Sequence, residues 1–319
     1  MNFIIKTVLF LYLALSFCGC KKEESPFFKN VSKDSPAKLS PVTFTDALNR
    51  RITLKHKAKR IASLSTGVTE SLFAIGCGDN VVLRDKWAEY PKEVIELPAV
   101  DSYNISIENI ASYNPDLVIL YFDDDRFSKD FKKIGIDVAF FNPLNYQDVA
   151  DDILTLGKIC GKSENAEKIA FNMLKIKADI EKKTAAKTPK TVYVEVDSTD
   201  IARPWTAGET SMVGELVKIC GGDNIFKDAK KSYQQVNLES IIMRDPFCIV
   251  LADVIDGNGR DSVHKLKTKP GIRNINAVLN DRIIYDIDKD VLTLTGPRLA
   301  KGLESLYNAL WINGNCKTR

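Results

Sequence analysis

Short apolar runs alternate with amphipathic segments along residues 42–312, and this order predicts strands that alternate with helices. Two short alternating runs flank DALNR near the start and predict a β-hairpin. The apolar run RIASL then predicts a strand, and STGVTESLFAIGCGD predicts a helix that ends at its glycines. Because the connections are short, the pattern favours an α/β fold with a largely parallel sheet.

A longer amphipathic segment divides the chain into two halves. Ser163 is the expected N-cap of this helix, and its pattern continues to about Lys183. The apolar positions that share one face are Ala166, Ile169, Ala170, Met173, Ile176 and Ile180. A helix of about 20 residues is roughly 30 Å long, so the sequence predicts a stiff spacer between two α/β lobes.

The predicted domains follow from this division. The N-terminal lobe covers 41–161, the connecting helix 162–186 and the C-terminal lobe 187–319. A cleft between two lobes is a preferred place for a small ligand, and we expect the loops at the strand ends to line it.

One phrase occurs in both halves of the chain. ISIENIASYNPDLVILY and VNLESIIMRDPFCIVLA each indicate a short helix, a turn with a proline and a buried strand. Glu108 precedes Pro115 by seven residues, and Glu239 precedes Pro246 by seven. Each glutamate falls in the first turn of its helix, where the helix dipole favours an anion. From the residues alone, a local helix-stabilising role and an interaction role are equally open.

The N-terminus has the pattern of a secretory signal peptide over residues 1–19, with Lys6 before the apolar run TVLFLYLALSF. Gly19 before Cys20 resembles the lipobox of bacterial lipoproteins, which implies cleavage before Cys20 and acylation of that cysteine. A soluble exported protein cut near the same place is the alternative. Residues 20–40 are charged and aperiodic and predict a flexible tether.

Composition and motifs exclude several classes of function. The formal net charge of +3 gives no basic excess for nucleic-acid binding. His56 and His264 both stand in lysine-rich stretches, which predicts surface positions. The sequence contains no G-x-S-x-G, P-loop or H-E-x-x-H motif, so we expect no catalytic residue, no metal site and no resident cofactor.

The cysteines leave their pairing open. After the predicted signal peptide and Cys20, the remaining ones are Cys77, Cys160, Cys220, Cys248 and Cys316. Five is an odd number, so at least one is free or pairs outside the chain. Their spacing also speaks against an enzyme with a metal cluster between its lobes, as in nitrogenase-like proteins, because such clusters need cysteine ligands.

Several segments together resemble the periplasmic binding proteins for iron complexes, haem and vitamin B12 that serve ABC importers, over roughly residues 42–312. They are RIASLSTGVTESLFAIGCGD, EYPKEV, SIENIASYNPDLVIL, WTAGETSMVGELVKICGGDNIFKD, VNLESIIMRDP and GPRLAKGLESLYNAL. The resemblance implies two α/β lobes joined by one backbone helix, with the ligand between them. It also implies a transport component rather than an enzyme, exported to the periplasm or outer surface.

The resemblance implies a set of ligand contacts. Aromatic residues stand at positions that match contacts in the cobalamin-binding member of the family: Trp87, Tyr103, Trp205 and Tyr233. Tyr103 and Tyr233 replace tryptophan, and Arg203 replaces an apolar residue, which leaves open cobalamin, a related corrinoid or another ligand. Thr293, with its neighbours Leu292 and Leu294, is a further contact candidate on the predicted last loop.

Two other ligands of the same family stay open. Haem is one, because Tyr103 or Tyr233 could bind its iron. A ferric siderophore is the other, although an anionic chelate favours several arginines. Arg203 is the one arginine well placed for that role, since Arg298 in GPR has a more structural character.

The resemblance also implies partners. One glutamate on each lobe docks onto arginines of the permease dimer in this family, and Glu108 and Glu239 stand at the matching places. Glu70 is a weaker candidate for the first lobe. The expected partners are thus the permease, a macrocyclic small molecule and the membrane through Cys20, with no nucleic acid and a monomeric chain. A surface lipoprotein that binds other proteins or cell-surface material remains an alternative to a transport component and to an enzyme.

Overall fold

The structure is a computed structural model, and it describes residues 40–122, 125–253 and 259–312. The predicted signal peptide, Cys20 and nearly all of the predicted tether lie outside the described residues, as does Cys316. No helix in the described part of the chain combines the length and the apolar composition that spanning a bilayer requires.

The first lobe begins with an antiparallel hairpin and continues as a parallel sheet with helices, as the sequence predicts. The hairpin is β1 (Val42–Thr45) and β2 (Arg51–Leu54), and the sheet has the order β5-β4-β3-β6-β7. The sheet strands are β3 (Ile61–Leu64), β4 (Val81–Asp85), β5 (Ala99–Val100), β6 (Leu117–Leu120) and β7 (Asp137–Phe140). The helices are α1 (Thr66–Ala74), α2 (Ile107–Ser112), α3 (Asp125–Lys133) and α4 (Tyr146–Cys160).

One long helix, α5 (Ser163–Thr184), follows. It lies within the predicted span 162–186 and buries Ala166, Ala170, Met173 and Ile180 from the predicted stripe. The predicted N-cap is wrong by one residue, because Lys162 occupies the cap position and provides no side-chain cap bond.

The second lobe repeats the α/β order around a mixed sheet. Its main path is β11-β9-β8-β12-β13, and β10 pairs with β8. The strands are β8 (Lys190–Asp197), β9 (Trp205–Ala207), β10 (Gly222–Asn224), β11 (Tyr233–Gln235), β12 (Cys248–Leu251) and β13 (Ile283–Ile284). The helices are α6 (Met212–Ile219), α7 (Leu238–Arg244), α8 (Arg260–Thr268), α9 (Asn276–Leu279), α10 (Lys289–Thr293) and α11 (Leu299–Trp311).

The main hydrophobic core is shared by both lobes. It runs from Phe44 in the hairpin through Met173 in α5 to Val213 in α6 and Leu303 in α11 without interruption. Each lobe adds a separate hydrophobic cluster of its own. Since burial of apolar area is the main source of stability, the lobes and the connecting helix are stabilised together.

The described cysteines fall into two groups. Cys77, Cys160 and Cys220 are free and buried, whereas Cys248 is disulfide-bonded.

The carboxyl group of Asp152 on α4 makes the stability of the folded protein depend on pH. Burial, followed by the nearby Asp148 and Asp151 carboxylates, raises the pKa of Asp152 to about 7, and its Oδ2 atom is buried with no hydrogen-bond partner. Between the usual aspartate pKa and this value, the Asp152 carboxyl group is ionised in the unfolded chain and protonated in the folded protein. The free energy of unfolding therefore falls as the pH rises through this range.

We therefore expect Asp152→Asn, which does not titrate, to raise the free energy of unfolding by about 1 kcal/mol or more near pH 8 and by much less near pH 4. Urea unfolding at both pH values measures this. An equal effect at the two pH values would contradict the assignment.

Candidate ligand-binding cleft and docking surface

The repeated phrase folds into the same local structure in both lobes. Ser106 caps α2 by accepting the Asn109 N–H at 3.2 Å, and Asn237 caps α7 by accepting the Ser240 N–H at 2.8 Å. Each helix leads into a fully buried strand, β6 in one lobe and β12 in the other. Each of these strands lies directly beside the first strand of its sheet, β3 or β8.

The turn between helix and strand is also repeated. Asn114 and Asp245 both have positive φ angles, 47° and 37°, and each directly precedes the proline of its phrase. Asparagine and aspartate adopt this left-handed conformation more readily than most residues. Local sequence therefore ends the two helices in the same way before their strands begin.

Glu108 and Glu239 occupy equivalent places at these helix starts. Each is the second residue of its helix, and each side chain is exposed. Ser106 Oγ donates to Glu108 Oε2 at 3.2 Å, so this carboxylate also supports its own helix. In a parallel α/β lobe, a helix that runs back before its strand begins near the edge where the strands end. Both carboxylates are thus exposed near the edge of their sheets where the parallel strands end.

The four predicted aromatic contacts are exposed despite their size. Their exposed fractions are 56% for Trp87, 82% for Tyr103, 40% for Trp205 and 38% for Tyr233. Trp87 and Tyr103 follow the ends of β4 and β5. Trp205 opens β9 and pairs with Asp197, the last residue of β8, so it also lies at the carboxyl edge of its sheet. Large exposed rings at strand ends are suited to a ligand with a flat apolar surface.

Tyr121 and Phe122 extend this aromatic set and were not predicted from the sequence. Tyr121 is half exposed directly after β6, and the Phe122 ring stacks on Tyr103 with centroids 6.3 Å apart. Burial and then Tyr103 raise the pKa of Tyr121, while burial and then Tyr121 raise the pKa of Tyr233. Tyrosines of the two lobes therefore lie within electrostatic reach of one another. The available signal was the position of Tyr121 at the end of the repeated phrase.

The polar candidates are placed differently from the aromatic ones. The Arg203 side chain is exposed, and its Nε lies 3.3 Å from Asp200 Oδ2, so a neighbouring carboxylate already offsets its charge. The predicted loop at 291–298 is wrong in part, because α10 covers its first residues. Within α10, Thr293 is half-buried and donates to the Lys289 carbonyl at 2.8 Å. Leu292 is fully buried, which excludes it as a ligand contact.

Glu70 belongs to an interlobe contact and is excluded as a docking residue. It is only 3% exposed. Its carboxylate accepts the Arg298 backbone N–H at 2.8 Å and the Arg298 Nε–H at 2.9 Å, which confirms the structural character expected for Arg298. The guanidinium in turn lies 3.7 Å from the centre of the Tyr90 ring. Burial raises the pKa of Glu70, and the contacts with Arg298 oppose this shift.

A second contact joins the lobes, and here the second lobe provides the carboxylate. Glu215 on α6 of the second lobe accepts the backbone N–H of Tyr146, the first residue of α4, at 2.6 Å. Each lobe thus provides a carboxylate to the start of the other lobe's last helix. We call Glu70–Arg298 and Glu215–Tyr146 the interlobe ties. A groove of about 620 Å³ beside the second tie is lined by Glu215, Lys177 and Lys218, among others, and by none of the predicted aromatic residues.

The described residues contain no group of three or more His, Cys, Asp or Glu side chains arranged to hold a metal ion. His56 is half-buried beside the Lys57 carbonyl, and His264 is exposed on α8. Neither histidine adjoins the aromatic residues along the chain.

A family model described as "Periplasmic binding protein" matches residues 61–290, which covers both lobes and the connecting helix. The chain belongs to this family. Its members are transport components, and the chain is a substrate-binding protein of the family of ABC importers that includes proteins for vitamin B12, haem or iron complexes.

Similar proteins carry names that state different ligands or none. A Bacillus subtilis protein, the uncharacterized ABC transporter substrate-binding lipoprotein YvrC, is 32% identical over 94% of this chain and 95% of its own length. The vitamin B12-binding protein of Photorhabdus laumondii is 26% identical over 80% of this chain and 89% of its own. The periplasmic haem-binding protein RhuT of Roseiflexus sp. RS-1 in its apo form is 25% identical, with a TM-score of 0.69 over 82% of this chain and 100% of its own.

Proposed function

We propose that this chain captures cobalamin or a related corrinoid in the cleft and delivers it to an ABC permease. The observation that carries the proposal is the set of exposed aromatic side chains at the strand ends of both lobes. A corrinoid is a large macrocycle with extended apolar faces, and aromatic rings provide contact area at a small cost in side-chain entropy.

Charge supports a corrinoid over an anionic siderophore. Several unpaired arginines would favour an anionic chelate, but Arg203 forms an ion pair with Asp200 and Arg298 forms one with Glu70. The vitamin B12-binding relatives at 26% identity support the same choice.

Titration of the mature protein with cyanocobalamin tests the proposal by heat and by absorbance. We expect tight binding without turnover, and Trp87→Ala to weaken binding by roughly tenfold to a hundredfold, because it removes an apolar contact worth about 1.5–3 kcal/mol. Phe171→Ala is the matched control, since Phe171 is an exposed aromatic residue on α5, and it should leave the dissociation constant unchanged. Absence of heat and of spectral change with the unsubstituted protein would exclude a corrinoid.

Haem is the second candidate, and the proximity of Tyr121 to Tyr103 and Tyr233 favours it. A phenolate oxygen can bind ferric iron. The raised pKa values of Tyr121 and Tyr233 oppose this role, because both side chains must lose a proton to become ligands. The same titration with hemin separates the two ligands, since coordination by tyrosine produces a charge-transfer band that Tyr→Phe variants remove.

Docking and anchoring complete the proposal. Glu108 and Glu239 meet arginines of the permease dimer, one from each lobe, and their exposure and equivalent helix positions support this role. An acylated Cys20 attaches the protein to the membrane through the tether, and the name of the Bacillus subtilis relative as a lipoprotein supports this. The protein acts as a monomer without a resident cofactor.

A further inference from the structure

Two loops of the first lobe present Trp87 and Tyr103, and one buried carboxylate lies between them. Asp85, the last residue of β4, is almost fully buried. Its Oδ1 accepts the backbone N–H of Trp87 at 3.2 Å, and its Oδ2 accepts the Ser102 hydroxyl hydrogen at 2.6 Å. Ser102 directly precedes Tyr103. A single side chain therefore connects the backbone at one exposed ring to the loop of the other.

A second connection between the same loops runs through Lys86 and Asp101. Lys86 Nζ donates to Asp101 Oδ2 at 2.8 Å, and Asp101 Oδ1 accepts the Tyr103 N–H at 3.0 Å. The Lys86 ammonium also lies 4.8 Å from the centre of the Trp87 ring. This pair is exposed, so its energetic contribution is smaller than that of the buried Asp85 bonds.

Arg84 fixes the backbone around Trp87 through several hydrogen bonds. It is buried, and its Nη1 donates to the carbonyls of Asp85, Lys86 and Ala88, each at 3.1 Å. Its Nη2 reaches the Ile95 carbonyl at 3.3 Å. An arginine bound to several carbonyls of one loop restricts the conformations of that loop. Arg84 therefore acts on the segment between β4 and β5, which contains Trp87, whereas Asp85 acts on both loops.

We propose that Asp85 is a positioning residue that holds Trp87 and Tyr103 as one preorganised wall of the ligand cleft, with Ser102 as its contact on the second loop. This inference rests on the proposed function, in which both rings contact the ligand. Its physical basis is conformational entropy. Loops that are ordered before binding lose less freedom when the ligand arrives, so the affinity is higher.

The variants remove the hydrogen bonds of Asp85 to the two loops one after the other. Ser102→Ala removes only the bond to the Tyr103 loop, and Asp85→Ala removes the bonds to both loops. Asp85→Asn is the conservative rescue, because its amide oxygen can still accept from Trp87 and its amide nitrogen can donate to Ser102 Oγ. Ile249→Val, a core change in β12 of the other lobe, is the control for a general loss of stability.

The first readout needs no ligand. Native-state hydrogen exchange should become faster in both loops for Asp85→Ala and should stay near the original rate for Asp85→Asn. Ser102→Ala should affect the Tyr103 loop more than the Trp87 loop. Unchanged exchange in both loops of a folded Asp85→Ala protein would overturn the inference whatever the ligand is. If Asp85→Ala does not fold, Ser102→Ala decides, and unchanged exchange at the Tyr103 loop would then overturn the inference as well.

The second readout is affinity for cyanocobalamin. Asp85→Ala should weaken the affinity for cyanocobalamin roughly tenfold, because both rings must then become ordered when the ligand binds. The affinity should recover in Asp85→Asn and should not change in Ile249→Val. In a double-mutant cycle, Trp87→Ala should cost less in the Asp85→Ala protein than in the unsubstituted protein. Strict additivity would overturn the inference. Lack of binding by the unsubstituted protein would instead exclude the corrinoid and leave the exchange result as the test.

Discussion

Lys269→Met should lower the free energy of unfolding by about 3–5 kcal/mol, because it leaves the buried Glu195 carboxylate without its counter-charge. Lys269 and Glu195 both have fully buried side chains, and Lys269 Nζ lies 2.5 Å from Glu195 Oε2. Tyr193 donates to the same oxygen at 3.0 Å. Burial raises the pKa of Glu195 even with Lys269 present, so without Lys269 the carboxyl group should take up a proton more readily and the loss should be smaller at acidic pH.

The matched control is Lys267→Met, which removes a partly exposed lysine two residues away that is 3.5 Å from Asp281. Its effect should stay within about 0.5 kcal/mol. The double change Glu195→Gln with Lys269→Met removes both charges, keeps an acceptor for Tyr193 and should recover a large part of the loss. Urea unfolding measures all of these. Equal effects of Lys269→Met and Lys267→Met would show that the buried pair has no special importance.

Reversal of both docking charges, Glu108→Lys with Glu239→Lys, should abolish uptake while the dissociation constant for the ligand stays unchanged. Each new lysine would face a permease arginine, and like charges at an interface cost several kcal/mol. Transport should therefore fall by at least about a hundredfold. The measurement is uptake of labelled ligand by cells in which this chain is the sole binding protein for it, together with a titration of the purified variant.

The control for net charge is Glu167→Lys with Glu304→Lys, two exposed glutamates on α5 and α11. This protein carries the same total charge, and it should transport normally. Normal transport by the docking variant would favour the hypothesis that the chain is a surface lipoprotein whose glutamates have no paired role. Loss of ligand affinity in the docking variant would mean that these residues act on the cleft.

The elements were predictable wherever the signal is local. Alternation of apolar runs, helix caps and the prolines of the repeated phrase all depend on neighbours in sequence, and these features placed Glu108 and Glu239 at two equivalent helix starts. The exposure of Trp87, Tyr103, Trp205 and Tyr233 agrees with their expected place on loops or strand ends. Their roles toward the ligand stay predictions.

The errors concern contacts between distant parts of the chain. Glu70 was kept as a weaker docking candidate although it lies outside the repeated phrase, and its partner Arg298 is 228 residues away. The same difficulty applies to Leu292, which α10 directs into the core, and to Tyr121, whose neighbours Tyr103 and Tyr233 come from other loops. Local patterns predict where a helix begins and contain no information about which lobe it will meet.

The interlobe ties set a condition on how cargo leaves this protein. Each tie uses an acceptor from a different lobe, and the main hydrophobic core contains residues of both lobes. Widening the gap between the halves therefore separates a carboxylate from its backbone donor and strains shared packing, so thermal motion alone should open it rarely. Under the proposed function, we therefore expect release of the ligand to require work done by the transporter, so the rate of unloading should be a property of the assembled pair.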